Sequence, residues 1–256
     1  MSIWVIGGTG DSAKVAKAIS AVITDYVITV TTPEAIKLYD SKCRVSVGKM
    51  NQVLMQQFCR QHHVKGIIDA SHPFAVEVSQ NAIAVAKSLN LPYLRFERAT
   101  VAAEQSDLAL KLNSFDDLVE GEYLLNQRVL LAVGCKALPL FKDWHSKATL
   151  FARILPKLDS LQIALDSGFT SDRIIALRPP FSAALEQALW QKWRISLVVT
   201  KASGTPSGQD IKQQVAQQLN IPLITIARPQ IVYPLQTSQM SQVVEFCQQF
   251  GVRLSN

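Results

Sequence analysis

Near its N-terminus the chain reads Ser2-Ile3-Trp4-Val5-Ile6-Gly7-Gly8-Thr9-Gly10-Asp11, and this stretch decides the fold. Its first five residues are almost wholly apolar, which predicts a strand buried on both faces of a parallel sheet. The glycines predict a tight turn, and apolar residues spaced by three and four over residues 13–23 predict a helix after it. A strand, a glycine turn and a helix in this order indicate an α/β fold.

The glycine turn has the spacing of a dinucleotide-binding turn. Gly8, Gly10 and Ala13 match the pattern of small residues at its first, third and sixth positions. Glycine lets the backbone approach a diphosphate, and the N–H groups and the positive dipole end of the following helix attract the anion. We therefore expect the cofactor to contact Gly7, Gly8, Thr9, Gly10 and Asp11. The alternative is a tight turn that binds no ligand.

The composition favours a small anionic ligand. The 256 residues include 26 basic and 20 acidic side chains, a net charge of +6 that suits nucleic acid or an anionic small molecule. The bases form no run and no nucleic-acid motif occurs, so we expect no nucleic-acid partner. No apolar run has the roughly 20 residues of a membrane helix. The first strand starts at residue 2 with no basic region or cleavage site ahead of it, so we expect no signal peptide. Four scattered cysteines argue against a metal site. We expect a cytoplasmic monomer without membrane contact.

Strands and helices alternate through the first half of the chain. After the first strand, β-branched and apolar runs predict four more strands, at residues 26–31, 44–47, 66–70 and 92–96. Helical spacing predicts helices between them, which gives a doubly wound parallel sheet. The polar, acidic stretch from residue 97 to residue 127 interrupts the alternation. We therefore expect a dinucleotide-binding domain over residues 1–97.

Residues just after each strand are candidate ligand contacts, because ligands bind at the carboxyl ends of strands in open α/β sheets. In the first half they are Thr31, Lys49, Ser71 and His72. The second strand ends without the Asp or Glu that often holds the ribose of NAD. Such a carboxylate would repel a 2′-phosphate, so its absence favours NADPH over NADH as the cofactor. Glu34 lies just beyond and leaves NADH open.

The alternation resumes in the second half and predicts a second Rossmann-like domain over residues 98–256. Its expected strands are residues 129–133, 149–152, 174–177, 196–200 and 223–227. A base follows each of them at or within three residues of its end: Lys136, Arg153, Arg178, Lys201 and Arg228. Since parallel strands end at one edge, these bases predict a pocket for a ligand with several carboxylates. The alternative is that each base is solvated or caps local backbone.

Two loops of the second half carry further candidate contacts. Residues 178–182 (Arg-Pro-Pro-Phe-Ser) contain paired prolines that fix the backbone and hold Arg178 in place. Residues 200–208 form a small-residue loop ahead of a helix, and its N–H groups suit a carboxylate or a phosphate. The loop lacks the Gly-Lys-Ser/Thr end of a Walker motif, so ATP is not expected.

Taken together, these motifs resemble the precorrin-6A reductase family of cobalamin (vitamin B12) biosynthesis. The matching stretches are residues 7–11 (GGTGD), 69–75 (DASHPFA), 132–138 (AVGCKAL), 153–156 (RILP), 178–182 (RPPFS) and 199–204 (VTKASG). The second and the last are the most specific of them, and the resemblance extends over nearly the whole chain. The family usually has Glu where this chain has Asp11, and Asp or Asn where it has Ala202.

The resemblance implies two Rossmann-like domains with a cleft between them, a nicotinamide dinucleotide on the first domain and a tetrapyrrole in the cleft. The implied reaction is hydride transfer to one carbon–carbon double bond of precorrin-6A, with or without cobalt, which gives precorrin-6B. The acetate and propionate groups of such a ring fit the basic strand ends. The expected substrate contacts are Lys136, Arg153, Arg178, Ser182, Lys201, Ser203 and Gly204. Lys201 and His72 are the candidate catalytic proton donors, with water as an alternative.

Two other functions fit the same fold. A non-catalytic NAD(P)-binding sensor explains the glycine turn but gives no reason for the basic strand ends. A glycosyltransferase with two Rossmann-like halves needs a carboxylate base near the glycine turn and a nucleotide-sugar site in the second half. The basic strand ends of the second half fit that chemistry poorly.

Overall fold

Two parallel sheets organise the chain. The computed structural model describes residues 2–99, 108–179, 181–204 and 208–251. The chain divides into two compact units, of which the first is Met1–Ala99 with Gln230–Asn256 and the second is Thr100–Pro229. Each unit holds one six-stranded sheet, and every described strand pair is parallel. The predicted α/β class with two Rossmann-like halves is therefore confirmed.

The first unit surrounds its sheet with helices. Numbered along the chain, its strands are β1 (Ser2–Ile6), β2 (Tyr26–Val30), β3 (Val45–Val47), β4 (Val64–Asp69), β5 (Tyr93–Phe96) and β12 (Gln236–Thr237). Their order in the sheet is β12-β5-β4-β1-β2-β3. Its helices are α1 (Gly10–Ile19), α2 (Gln52–Gln61), α3 (Val76–Ser88) and α8 (Met240–Phe250), with a 3₁₀ helix at Pro33–Leu38.

Strand β1 lies between β4 and β2 and is buried on both faces. Ile3 and Val5 pack into one apolar cluster with residues of α1 and α8. Trp4 packs into the cluster on the other face, with residues of α2 and α3. Full burial of one large apolar side chain contributes about 1.5–3 kcal/mol. Burial of the whole apolar run therefore fixes β1 inside the sheet. The glycine turn therefore leaves from an inner strand, at the carboxyl edge of the sheet.

The second unit repeats this architecture. Its strands are β6 (Ala109–Leu112), β7 (Arg128–Ala132), β8 (Thr149–Ile154), β9 (Ile174–Ala176), β10 (Leu197–Lys201) and β11 (Leu223–Ile226). Their order is β6-β11-β10-β7-β8-β9. The helices are α4 (Phe115–Glu120), α5 (Leu158–Asp166), α6 (Ala183–Lys192) and α7 (Gln209–Leu219), with 3₁₀ helices at Cys135–Ser146 and Ser171–Arg173.

The C-terminal segment belongs to the first sheet, which corrects the expected domain of residues 98–256. β12 pairs in parallel with β5, with Gln236 opposite Arg95. α8 packs with α1 and β4 and adds Val243 and Phe246 to the cluster around β1. The expected second domain therefore loses residues 230–256 to the first unit. The reason is that periodicity identifies a strand or a helix but not the sheet that it joins.

The ten strands predicted from the sequence are all present, and β6 and β12 are additional. β6 escapes prediction because only its last residue is buried, so it has no apolar run. β12 has two residues, which is too short for a period to show. None of the helices in the described part of the chain is long and apolar enough to cross a membrane.

Candidate functional site

The glycine turn between β1 and α1 leads into the capped N-terminus of a helix. Gly8 has φ +96°, a left-handed conformation that favours glycine. Thr9 caps α1: its hydroxyl accepts a hydrogen bond from Ser12 N at 3.0 Å. The same hydroxyl donates to Ala70 O at 2.9 Å, which joins the turn to the end of β4. A Cβ on Gly10 would meet no described atom within 4 Å, so the surface at this glycine is open.

Tyr39, which the sequence analysis did not single out, lies against the glycine turn. Its hydroxyl accepts from Gly8 N at 2.7 Å and bonds Ser12 Oγ at 2.6 Å. A Cβ on Gly7 would overlap this hydroxyl, so a larger residue there would displace the Tyr39 side chain. Burial raises the pKa of Tyr39, so the phenol stays protonated at neutral pH. No motif signals this contact, because it joins residues that are 31 positions apart.

Asp11 and Lys49 lie at the edge of this site. The Asp11 carboxylate pairs with Arg98 at 2.7 Å and stands in the first turn of α1, where the helix dipole favours negative charge. The Asp11 carboxylate is therefore paired within the protein, and its contact with a cofactor stays a prediction. Lys49 follows β3 and is exposed, and it does not line the cavity described next.

A cavity of about 160 Å³ opens at the carboxyl ends of β1, β2 and β4. Six of the predicted cofactor residues line it: Gly7, Gly8, Thr9, Thr31, Ser71 and His72. Whole small-molecule sites measure roughly 300–1,000 Å³, so this cavity can enclose part of a dinucleotide. A larger cavity of about 650 Å³ runs along α1 and is lined by none of the predicted cofactor residues. The candidate site is therefore the cavity at the glycine turn.

The loop between β4 and α3 is held from below by a buried carboxylate. Asp69 is 0% exposed. Its Oδ1 accepts from Ser71 N at 3.0 Å and Arg95 Nη1 at 2.9 Å, and its Oδ2 accepts from Ser79 Oγ at 2.6 Å and Tyr93 Oη at 2.7 Å. Burial, reinforced by the charge of Asp69, raises the pKa of Tyr93, so its phenol remains a donor. Ser71 and His72 therefore extend from a rigid base.

His72 accepts a hydrogen bond at Nδ1 from Phe74 N at 3.2 Å. An accepting Nδ1 carries no proton, so in the neutral imidazole the proton lies on Nε2. His72 thus contributes a donor in the loop that borders the cavity, as the sequence predicted for its position. Whether it contacts a cofactor stays a prediction.

In the second unit, Lys201 ends β10 beside the loop that follows β7. Its Nζ lies 3.8 Å from the place that a Cβ on Gly134 would take. Burial lowers the pKa of Lys201 to about 8, with the charge of Lys136 acting in the same direction and Cys135 opposing it. A lysine with this pKa can release its proton near neutral pH and can also pair with a carboxylate. Two predicted substrate residues, Lys136 and Lys201, are thereby brought together.

The five predicted bases of the second edge differ in their surroundings. Lys136 and Arg178 are exposed. Arg153 is 9% exposed and forms an ion pair with the buried Glu186, whose other oxygen accepts from Trp190 Nε1 at 3.0 Å. Arg228 donates from Nε to Ala202 O at 2.8 Å. Arg153 is therefore paired with a buried carboxylate and Arg228 with local backbone, and the pocket predicted from the five bases stays a prediction.

The remaining predicted substrate residues already have local hydrogen bonds. Ser182 caps α6 by accepting from Leu185 N at 3.2 Å. Ser203 donates from Oγ to Lys201 O at 3.1 Å, and Gly204 N donates to Gln209 Oε1 at 2.8 Å. Lys212, a buried base that the sequence analysis missed, donates to Gly208 O at 3.0 Å, and burial lowers its pKa to about 7. These bonds hold residues 203, 204 and 208 at the two described ends of the loop, and the substrate roles of Ser182, Ser203 and Gly204 stay predictions.

Fold and site define an α/β protein of two Rossmann-like units with a nucleotide-type glycine turn and a second, basic strand edge. The family model described as Precorrin-6x reductase CbiJ/CobK matches residues 2–248. The cobalt-precorrin-6A reductase of Synechocystis sp. is 44% identical over 252 residues, with 96% of each chain covered. That of Priestia megaterium is 32% identical over 246 residues, which cover 94% of this chain and 96% of the relative.

A solved structure of CobK precorrin-6A reductase has the same fold, with a TM-score of 0.80, 23% identity and 98% of each chain covered. The chain therefore belongs to the precorrin-6x reductase family, and it is an oxidoreductase of cobalamin biosynthesis. This confirms the family resemblance and sets aside both the non-catalytic sensor and the glycosyltransferase.

Proposed function

We propose that this protein uses NADPH to reduce one carbon–carbon double bond of precorrin-6A or cobalt-precorrin-6A, giving the corresponding precorrin-6B. The observation that carries the proposal is the cavity at the glycine turn. Six residues chosen as dinucleotide contacts from the sequence line it, in a chain of the precorrin-6x reductase family.

The glycine turn fits a nicotinamide dinucleotide. Gly8 N and Thr9 N donate to Tyr39 Oη and Ser12 Oγ, so a diphosphate would be received by the open space at Gly10 and the positive dipole end of α1. Thr31 lines the cavity just after β2 and carries no charge to repel a 2′-phosphate, which supports NADPH over NADH. Ser71 and His72 border the same cavity from β4. The nicotinamide, when bound, supplies the hydride.

The basic edge of the second unit fits a ring fringed with carboxylates. Lys136 and Arg178 are exposed at the carboxyl ends of parallel strands, and Lys201 lies partly buried at the same edge. Each exposed pair with a carboxylate contributes only about 0–1 kcal/mol. Their joint effect in this proposal is to orient the ring, because several fixed contacts leave it one position relative to the hydride donor.

Reduction of a carbon–carbon double bond consumes one hydride and one proton. Lys201 is the proposed proton donor, because its pKa of about 8 leaves it protonated at neutral pH yet able to release the proton. The ammonium would give its proton to the carbon that does not receive the hydride, and bulk water would reprotonate the amine. His72, with a proton on Nε2, is the alternative donor.

The test is an assay with purified protein, NADPH or NADH, and precorrin-6A with or without cobalt. We expect cofactor oxidation and a product heavier by two hydrogens with at least one form of the substrate, and a lower KM for NADPH than for NADH. Absence of oxidation with both substrate forms and both cofactors would reject the proposed function. The cobalt and metal-free arms identify the natural substrate.

We also propose that the protein acts in the cytoplasm as a monomer. All four cysteines are free thiols, as expected in a reducing compartment. Light scattering coupled to size exclusion checks the oligomeric state, and a mass near 28.3 kDa is the expected result. A mass of twice that value would contradict it.

A further inference from the structure

We propose that Arg95 is a positioning residue that directs the hydroxyl proton of Ser71 toward a diphosphate oxygen of the dinucleotide. This inference deepens the proposed function and rests on it. Ser71 is a predicted cofactor contact, whereas Arg95 lies on β5, and neither its sequence position nor the family match singles it out.

The acceptor positions of the Asp69 carboxylate are all occupied. A carboxylate offers about four acceptor positions. Asp69 uses four, for a backbone N–H, one guanidinium N–H and two hydroxyl groups: those of Ser71 N, Arg95 Nη1, Ser79 Oγ and Tyr93 Oη. The carboxylate beside Ser71 therefore has no position left for the Ser71 hydroxyl proton, although it binds the Ser71 backbone.

The hydrogen bond between Arg95 and Ser71 runs in one direction, from the guanidinium to the hydroxyl oxygen. Arg95 Nη1 lies 3.1 Å from Ser71 Oγ, and a guanidinium can only donate. Ser71 Oγ is thus an acceptor in this bond, and its own proton must point away from Arg95. Both protons of Nη1 are engaged, one by Asp69 and one by Ser71.

The Arg95 guanidinium is held on several sides. Glu97 Oε2 accepts from its Nε at 3.0 Å and pairs with its Nη2 at 2.9 Å. The ring of Tyr233 lies 5.4 Å from the guanidinium carbon. Arg95 is 0% exposed. A guanidinium held by two carboxylates and an aromatic face has one orientation, so the hydroxyl that it bonds has a fixed orientation as well.

The Ser71 hydroxyl lies beside the proposed position of the diphosphate. Ser71 lines the cavity together with Gly7, Gly8 and Thr9, and Ala70 O is bonded to Thr9 Oγ1. The acceptor that the glycine turn attracts is a diphosphate. An outward hydroxyl proton beside that turn therefore meets a phosphate oxygen, and a charge-assisted bond of this kind is stronger than a neutral one.

The experiment measures dissociation constants for NADPH and for 2′-phospho-ADP-ribose, which keeps the diphosphate and lacks the nicotinamide. We expect Ser71→Ala to weaken both ligands by about 10- to 100-fold, as for a lost hydrogen bond to a charged group. Ser88→Ala is the matched control, because it removes an exposed hydroxyl at the end of α3 that bonds neither Asp69 nor a residue lining the cavity. It should change both constants less than about twofold.

The positioning role of Arg95 is tested by a double-mutant cycle with Arg95→Lys. An ammonium keeps the charge but lacks the planar fork that serves Asp69, Ser71 and Glu97 at once. We expect Arg95→Lys to weaken NADPH in the native background and to have little effect in the Ser71→Ala background. Equal losses in both backgrounds would overturn the positioning role. If Arg95→Lys does not fold, Glu97→Gln, which loosens the same guanidinium, takes its place in the cycle.

The outcomes separate this inference from the proposed function. If the native protein binds neither NADPH nor NADH, both are rejected. If it binds NADPH and Ser71→Ala binds it equally well, the positioning inference alone is rejected. A loss for NADPH without a loss for 2′-phospho-ADP-ribose would overturn the assignment to the diphosphate.

Discussion

The carboxyl edges of the two sheets, which we propose as the anion sites, offer different groups to a ligand. The edge of the first unit offers the α1 dipole, the open backbone at Gly10 and hydroxyls, and two of its carboxylates are engaged by protein partners: Asp11 by Arg98, and Asp69 by Arg95. The edge of the second unit offers side-chain charge, with Lys136 and Arg178 exposed and Lys201 partly buried. Both arise from the same parallel topology.

This difference would let one fold recognise two kinds of anion. Fixed dipoles suit a compact diphosphate that is bound in one geometry, because they need no side-chain ordering. Long cationic side chains suit carboxylates spread around a large ring, because they can adapt their reach. Binding at the second edge should consequently depend more on salt, since exposed charges are screened within about 10 Å at 0.1 M ionic strength.

The largest expected effect separates Arg153 from the other bases of the second edge. Arg153→Met leaves the buried Glu186 carboxylate without its cationic partner, which should lower the free energy of unfolding by about 3–5 kcal/mol. Arg178→Met, at an exposed position, should leave it almost unchanged. Urea denaturation of both variants checks this. Equal free energies of unfolding for the two variants would show that the Arg153–Glu186 pair does not stabilise the fold.

The second effect concerns Lys201 as proton donor. Lys201→Met should lower the single-turnover rate of hydride transfer by about 100-fold or more, the usual contribution of a general acid. Lys201→Arg keeps the positive charge but does not release its proton, so it should retain substrate affinity and lose the rate. Lys192→Met, an exposed lysine at the end of α6, is the control. A fully active Lys201→Arg variant would assign the proton to His72 or water.

The third effect tests the open surface at the glycine turn. A Cβ on Gly10 meets no described atom within 4 Å, so Gly10→Ala should not lower the melting temperature. It should nevertheless weaken NADPH by about tenfold or more, because the methyl group would lie where the diphosphate approaches. Ser20→Ala, at the other end of α1, is the control. Unchanged affinity for NADPH would show that the turn is structural.

The fourth effect is a pH dependence that only the second edge should produce. In the proposed reaction the ammonium of Lys201 is the donor, so the active form would predominate below its pKa. With a pKa of about 8 in the free enzyme, kcat/KM for the tetrapyrrole should fall above pH 8, by about tenfold per unit. The dissociation constant of NADPH, measured without substrate, should stay flat over the same range. A fall that persists in Lys201→Arg would assign the titration to another group.

The smallest effects are expected at the exposed bases. Arg178→Gln and Lys136→Gln should each raise the KM for the tetrapyrrole by about two- to fivefold with kcat little changed, because an exposed ion pair contributes about 0–1 kcal/mol. The increase should shrink at high salt. Steady-state kinetics at low and high ionic strength check this, and a salt-independent increase would indicate a desolvated contact.

The local sequence pattern predicts most of the fold and part of the candidate site. The apolar run of β1, the turn at Gly8 and the positions of Ser71 and Lys201 follow from periodicity and from the rule that ligands meet strand ends. The partners do not follow, since Arg98 meets Asp11 across 87 positions and Arg153 meets Glu186 across 33. No local signal encodes such pairs.

The same limit explains the C-terminal segment and the bases of the second edge. The packing of α8 against α1 depends on the whole sheet and not on a local pattern. Arg153 follows the same positional rule as Arg178, yet β8 extends through residue 154 and carries the Arg153 side chain inward. Sequence therefore predicts which residues approach an edge, and packing decides which of them face solvent.

The reduction itself is tested most directly by following the hydride. The purified protein is given the tetrapyrrole and NADPH with deuterium at C4 of the nicotinamide, on one face or the other, in ordinary water. We expect mass spectrometry to find one deuteron on a carbon of the reduced ring with one of the two labelled cofactors and none with the other. Deuterium that stays in the oxidised dinucleotide with both, or a ring that is not reduced, would contradict the assignment.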